Sequence, residues 1–424
     1  MMRGERGRKR PIRVCHVAPS LDTLGGQSIQ AARLLEGLKE APEIEAELLP
    51  SNPALPGPLR RLQQVKYVRT VVTTLATLLL LLVKLPRYDI VQVYAASYFS
   101  FFLVPAPAVL IAKLYGKRVI MHYHSGEAEG HLSHWYWMAA PVIRLADITI
   151  APSGYLVDVF ARFGLTARAI FNIAKLDAYP FRERRLFRPA FFTSRSHEPL
   201  YNVPCALRAF ALIQRRYPAA SLTVAGDGSQ RAKNEQIARD LGLRNTVFTG
   251  CIPFDRMPAV YDAHDVYLMA NDIDNMPNSI TECFAAGLPV VTTNAGGLPY
   301  MIEHEKTGLM VQCGDHEALA ANAIRLIEDQ ALAAGIARRA RAECARYTWP
   351  LIKQQWLAVY RALAESKAAN SAKEIVESGK EILRESNNAG SAGIANVARR
   401  AHHAPQAIAA PCAGKTSSRS DPWQ

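Results

Sequence analysis

Cysteine is scarce: seven residues in 424, scattered from Cys15 to Cys412 with no Cys-x-x-Cys spacing. An odd, dispersed set of this kind describes reduced thiols in a cytoplasmic chain and excludes a disulfide framework. No secretory leader is expected either. Met1–Arg10 is basic, but Pro11-Ile12-Arg13-Val14-Cys15-His16-Val17 offers no seven-residue apolar core free of charge. Long apolar runs are also missing. The longest, Val71–Val83, holds 13 residues, which as a helix is about 20 Å against the ~30 Å of a bilayer core. It reads as a buried helix or as an in-plane membrane helix flanked by Arg60, Arg61, Lys66, Arg69, Lys84 and Arg87. A span is the reading it fits least.

What the chain has in excess is positive charge, 50 Lys+Arg against 37 Asp+Glu, and the excess is uneven. Residues 1–190 carry 25 basic and 14 acidic side chains, whereas 191–364 carry 17 of each. An anionic partner or surface is therefore expected on the first half. No zinc-finger, RNP-like or basic-zipper pattern accompanies the charge, so nucleic acid is not the expected partner. An anionic membrane surface fits the flanks of the leucine run. Length predicts two or three domains at roughly 150 residues each.

Short apolar strands alternate with helical patterns, which predicts α/β architecture with parallel sheets covered on both faces. The first half reads as strand Ile12–Ala18, helix Ser28–Leu38 (Ile29, Ala32, Leu35 and Leu38 inward), helix 62–84, and strand Ile90–Tyr94. A helix near 98–115, strand Arg118–His124, helix 135–145 and strand Ile148–Ala151 follow. The pattern restarts near Ala190 and runs through strands at 191–194, 221–225, 246–248, 266–269 and 289–293. Two Rossmann-like domains facing a cleft are expected, at 1–183 and 184–346. A helix over 347–366 follows, then a mostly disordered tail over 367–424 with few large apolar residues.

Several segments carry chemistry. Gly25-Gly26 opens the first helix after the first strand; glycines there permit close backbone approach of an anion to a helix N-terminus, although an ordinary turn looks the same. Asp265 begins a more specific stretch. Its acidic loop, ending at Asp274, runs into Pro277-Asn278-Ser279, which starts a helix carrying Glu282 one turn in and ending at Gly287. Amides at such a helix start suit a diphosphate or sugar hydroxyls, and a fixed carboxylate suits the two ribose hydroxyls of a nucleotide. His122-Tyr123-His124 ends a strand; no third ligand follows at metal spacing, and His122 is expected on the opposite face from His124. His131 and His134 are expected at the surface or in an acceptor loop.

The stretch 265–302 strongly resembles the retaining glycosyltransferases of family 4, which have the GT-B fold. Their signature is an acidic residue, seven residues, then Glu; Asp274 and Glu282 have that spacing, with Asp in place of the commoner Glu. The resemblance covers roughly 12–363 and includes Gly25-Gly26, Ala151-Pro152-Ser153-Gly154, Phe171-Asn172, Gly226-Asp227-Gly228 and Tyr347…Tyr360. It implies that Tyr347–Tyr360 crosses back onto the first domain. It implies catalytic roles for His124, Arg195, Asp274 and Glu282, with Gly25, Gly26, Asn202, Gly226, Asn278, Ser279 and Glu282 around the donor. The chain departs from the family at one point. Arg195 matches the family's diphosphate arginine, but Leu200 or Tyr201 stands where a lysine is usual, leaving Asn202 or His197 as candidate substitutes.

The implied reaction moves a hexose from a nucleotide diphosphate-sugar to an acceptor hydroxyl, with retention. It belongs to cell-envelope, polysaccharide or glycolipid synthesis on sugar or lipid-linked acceptors, and needs no metal or other cofactor. The expected location is cytoplasmic, peripheral at the inner face of a membrane. A GT-B-fold epimerase would instead turn over the donor without an acceptor. An inactive nucleotide-sugar-binding protein, or a membrane-assembly partner using the basic half, would release no diphosphate.

Overall fold

The computed structural model describes residues 10–21 and 25–366. The expected tail over 367–424 lies outside the described residues. Contacts divide the chain into two compact units, neither of them a single continuous segment. Among the described residues, the first comprises those up to 180 together with 274–285 and 341–366; the second comprises 181–273 and 286–340. The principal break therefore falls three residues before the expected boundary, and the helix bearing Glu282 groups with the first unit.

The first unit holds strands β1 (Ile12–Ala18), β2 (Ile44–Pro50), β3 (Ile90–Ala95), β4 (Arg118–Tyr123), β5 (Ile148–Ala151) and β6 (Arg168–Ala169). They form one parallel sheet in the order β2-β1-β3-β4-β5-β6. Its helices are α1 (Gly26–Leu38), α2 (Lys66–Lys84), α3 (Phe99–Leu103), α4 (Pro105–Leu114), α5 (Ala128–Leu145) and α6 (Gly154–Arg162). Because side chains alternate along a strand, each sheet face has its own core. Cys15, Val17, Val91, Val93 and Met121 pack with α2, α4, α5 and α6. Val14, Ile90, Ile120 and Ile150 pack with α1 and with Ile352, Trp356 and Tyr360.

The second unit repeats the plan with β7 (Ala190–Ser194), β8 (Ser221–Ala225), β9 (Thr246–Gly250), β10 (Val266–Met269), β11 (Val290–Thr293) and β12 (Leu309–Val311). Their order is β12-β11-β10-β7-β8-β9, again parallel. The remaining helices are α7 (Val203–Arg216), α8 (Arg231–Asp240), α9 (Met257–Ala263), α10 (Asn278–Ala286), α11 (His316–Glu328), α12 (Gln330–Cys344) and α13 (Trp349–Glu365). Asp265 is fully buried at the entry to β10 and accepts from Arg182 at 2.8 Å, Arg184 at 3.1 Å and Arg188 at 2.6 Å. Arg184 also donates to the carbonyls of Tyr261, His264, Ala286 and Gly287.

Three expectations change. The buried positions of α1 include Gln30, Ala31, Arg33, Leu34 and Leu38; Ile29, Ala32 and Leu35 are only half-buried. The helix around the leucine run extends over 19 residues, and Tyr67–Arg87 is long and apolar enough to cross a membrane, so length does not exclude a span. Nor is that helix simply buried, because Leu81 and Leu85 reach the core while Val71, Leu75 and Leu79 stay exposed. Strand β2 follows a helix and precedes a proline-rich loop, and its burial alternates only weakly, which hid it in the sequence.

Candidate functional site

In the first unit, α1, the end of β4 and α10 supply one polar constellation. Gly25 caps α1 in an extended conformation, and a Cβ added to Gly25 or Gly26 meets no atom of the described residues within 4 Å. Packing among the described residues therefore does not call for glycine at either position. Farther along α1, Gln30 donates to Asn278 Oδ1 at 2.7 Å and accepts from the Ile173 amide at 2.8 Å. Arg33 donates to the Ile173 carbonyl at 2.7 Å and pairs with Glu282 Oε1 at 3.1 Å, with both side chains buried.

The acidic loop is fixed just as closely. Asn275 donates to the backbone carbonyl of His124 at 3.2 Å, and its own amide donates to Asp274 Oδ1 at 2.8 Å. Ser153 caps α6 and its hydroxyl bonds Asn275. Asn172 donates to the Met276 carbonyl at 3.0 Å. The contacts form neighbouring groups: Gln30 and Arg33 hold Asn278, Glu282 and the Ile173 backbone, while Asn275 joins Ser153, Asp274 and the His124 backbone carbonyl. Ser279 is buried at the start of α10, and among the described residues its hydroxyl has no hydrogen-bond partner.

His124 stacks on Tyr94, with centroids 5.4 Å apart, and its Nε2 is buried without a partner. Burial pushes its pKa down to about 3, so the ring is neutral and presents a hydrogen-bonding group, not a charge. His122 does not lie on the opposite face. Its ring centroid is 4.1 Å from that of His124, because residues two apart on a strand share a face. His131, expected at the surface, is buried against Phe101 and bonds the Tyr123 hydroxyl at 2.7 Å; His134 is exposed.

In the second unit, Arg195 follows β7, and its guanidinium lies 4.3 Å from the centroid of the Tyr201 ring. Tyr201, one of the two residues at the expected lysine position, therefore holds the arginine by a cation–π contact. The two candidate substitutes are committed elsewhere. Asn202 adopts a left-handed conformation (φ 42°), caps α7 through Cys205 at 3.3 Å and donates to Asp272 Oδ1 at 3.0 Å. His197 is buried against Asn234 at 3.1 Å, and burial lowers its pKa. Burial shifts the pKa of Asp272, in the acidic loop, upward. Gly226 has φ +124°, and a Cβ there would sit 2.0 Å from the Arg195 carbonyl oxygen, so this glycine shapes the Arg195 loop. Among the described residues no group of three or more His, Cys, Asp or Glu is placed to hold a metal ion.

Gln30, Arg33 and Asn275 escaped the sequence reading. The signal for the first two was a glutamine and an arginine among small and apolar residues on an otherwise amphipathic helix.

Two family models match successive parts of the chain. The model described as Glycosyltransferase Family 4 matches residues 24–173, and that described as Glycosyl transferases group 1 matches 189–329. The sulfoquinovosyl transferase SQD2 of Arabidopsis thaliana is 25% identical over 264 residues, 57% of this chain and 51% of that protein. A GDP-mannose-dependent alpha-(1-6)-phosphatidylinositol monomannoside mannosyltransferase of Mycobacterium tuberculosis is 33% identical over 141 residues, 31% and 37% of the two chains. The chain thus spans about half or less of the length of these curated relatives. HepE of Anabaena, solved with UDP-glucose, superposes with a TM-score of 0.65 at 18% identity, covering 83% of this chain and 100% of that one. With the two family models in sequence and a fold of two parallel six-stranded sheets, the chain belongs to the group 1, family 4 glycosyltransferases and has the GT-B fold.

Proposed function

We propose that the protein transfers a hexose from a nucleotide diphosphate-sugar to an acceptor hydroxyl, with retention at the anomeric carbon. One observation supports this reading: Asn275, in the acidic-x7-Glu segment, donates to the backbone carbonyl of His124, so these two parts of the expected site are neighbours within the first unit. Glu282, Ser279 and the α10 amides would hold the donor, and the Gly25-Gly26 backbone would approach its phosphates. Arg195, steadied by Tyr201, would offset charge on the departing diphosphate. Neutral His124 would donate a hydrogen bond to the transferred sugar. The departing phosphate would assist deprotonation of the acceptor, and no residue acts as a covalent nucleophile in this scheme. No metal enters it.

The acceptor is a sugar or a lipid-linked sugar, within cell-envelope, polysaccharide or glycolipid synthesis. The name of the mycobacterial relative, which includes phosphatidylinositol monomannoside, supports a lipid acceptor. The setting is the cytoplasm, at the inner face of an anionic membrane. The test incubates the protein with UDP- and GDP-sugars, with and without a membrane-lipid extract, and follows nucleotide diphosphate release and the anomeric configuration of the product. Acceptor-dependent release with retention is expected. Donor isomerisation without acceptor would replace transfer by an epimerase reaction, and binding without turnover would leave a sugar-nucleotide sensor.

A further inference from the structure

The helices that cover one face of the first sheet expose large apolar side chains. On α2, Val71, Leu75, Leu79 and Val83 recur every fourth residue and are 59%, 55%, 64% and 67% exposed. The opposite side of the same helix is anchored. Leu81 and Leu85 lie in the core, and the Thr77 hydroxyl bonds the Ser51 carbonyl at 3.2 Å. Helix α4 packs beside α2 and is tied to it by Tyr115, whose hydroxyl donates to the Leu82 carbonyl at 3.0 Å. It adds Leu114, 84% exposed, and α5, packed against α4, adds Trp137 at 87% and Met138. All three helices share one core on the same side of one sheet, so their outer faces form the surface of a single layer. Arg60, Arg61, Arg69 and Arg87 are exposed around α2, and Arg144 is exposed on α5.

We infer that the outer face of the α2–α4–α5 layer inserts into an anionic lipid surface, with α2 lying in the membrane plane. A row of four exposed apolar side chains along one helix, with Leu114, Trp137 and Met138 exposed on the helices packed beside it, is uncommon on a free surface. The basic rim commits the occupant to anionic headgroups, with acyl chains receiving the leucines, Trp137 and Met138. A transmembrane route for α2 conflicts with its anchored side, because Leu81, Leu85 and Thr77 are already partnered within the unit. The inference rests on the membrane setting proposed above and deepens it by naming the contact layer. Its test contains no sugar nucleotide, so its failure leaves the transfer reading standing.

The full chain is sedimented with sucrose-loaded vesicles of phosphatidylcholine and phosphatidylglycerol, and with phosphatidylcholine alone. The expected result is binding to the mixed vesicles that is at least tenfold stronger than to neutral ones and survives in part at 1 M salt, a concentration that screens rim charges but not buried leucines (roughly 3 Å Debye length). Leu75→Glu with Leu79→Glu should weaken binding at least tenfold at unchanged Tm. Brominated acyl chains should quench tryptophan emission of the parent, and Trp137→Phe should remove most of that quenching. Absence of binding by the parent overturns the inference, as does equal binding by the glutamate variant. Dimerisation in lipid-free solution that the same variant abolishes would assign the face to a second copy and also overturn it. Release only by detergent, with resistance to alkaline carbonate, would replace the in-plane helix by a span.

Discussion

Tyr201 is one of two residues, with Leu200, at the position where the family resemblance leads one to expect a lysine, and its ring supports Arg195 at 4.3 Å. An aromatic cannot neutralise a phosphate, but it fixes the direction of a cation that can. Tyr201→Ala should therefore weaken nucleotide diphosphate binding roughly fivefold, the worth of about 1 kcal/mol for such a contact. Tyr201→Phe should stay within about twofold. Calorimetric titration with UDP and GDP checks both, and equal loss in the two variants would point to the hydroxyl instead of the ring. Glu282 poses a second residue-scale question, because its carboxylate is buried against Arg33. Removing one partner of a buried pair strands the other charge, so Arg33→Ala should cost about 3–5 kcal/mol of stability. The double variant Arg33→Met with Glu282→Gln should recover most of the Tm and none of the transfer. The acidic-x7-Glu spacing made Asp274 and Glu282 legible from sequence. Arg33 was not legible, because its meaning depends on a partner 249 positions away.

Two glycine turns separate structural demand from functional demand at the scale of single elements. Gly226 sits at φ +124° with the Arg195 carbonyl in the path of any Cβ, so Gly226→Ala should both destabilise the second unit and displace Arg195. Gly25→Ala meets open space, so Tm should hold while donor affinity falls by tenfold or more. Thermal melts with and without nucleotide sugar read both effects; an unchanged Gly25→Ala affinity would remove the α1 start from the site. Most elements of the fold could be read because their apolar strands are short, fully buried and separated by helical periods. The exceptions have physical causes. Strand β2 shows little alternation, and α12 carries six small alanines and three arginines with no clear stripe. On α1 the inward face is partly polar because it meets Glu282 and Asn278 as well as apolar core.

At the scale of the molecule, burial of histidine makes the fold acid-sensitive. His16 and His124 are held down to about 3, and His122 well below its ordinary value, all chiefly by burial. The unfolded chain takes up these protons below about pH 6.5, whereas the folded chain resists until near pH 3, so stability is full above pH 6.5 and falls as pH drops toward 3. His16→Phe, which titrates nowhere, should flatten the denaturant midpoint profile in that window. Stability that stays constant from pH 7 to 4 would show that these rings find protons or partners in the folded state. The division of the chain has a different consequence. The first unit takes its β-sheet from residues up to 180, but the 274–285 segment and α13 come from much later in the gene. Trp356, Ile352 and Tyr360 complete a core begun by Val14 and Ile90. A ribosome that has made the first 180 residues has therefore made an unfinished body with one uncovered face. Recombination that swaps this half between relatives must carry three separate stretches of coding sequence, not one.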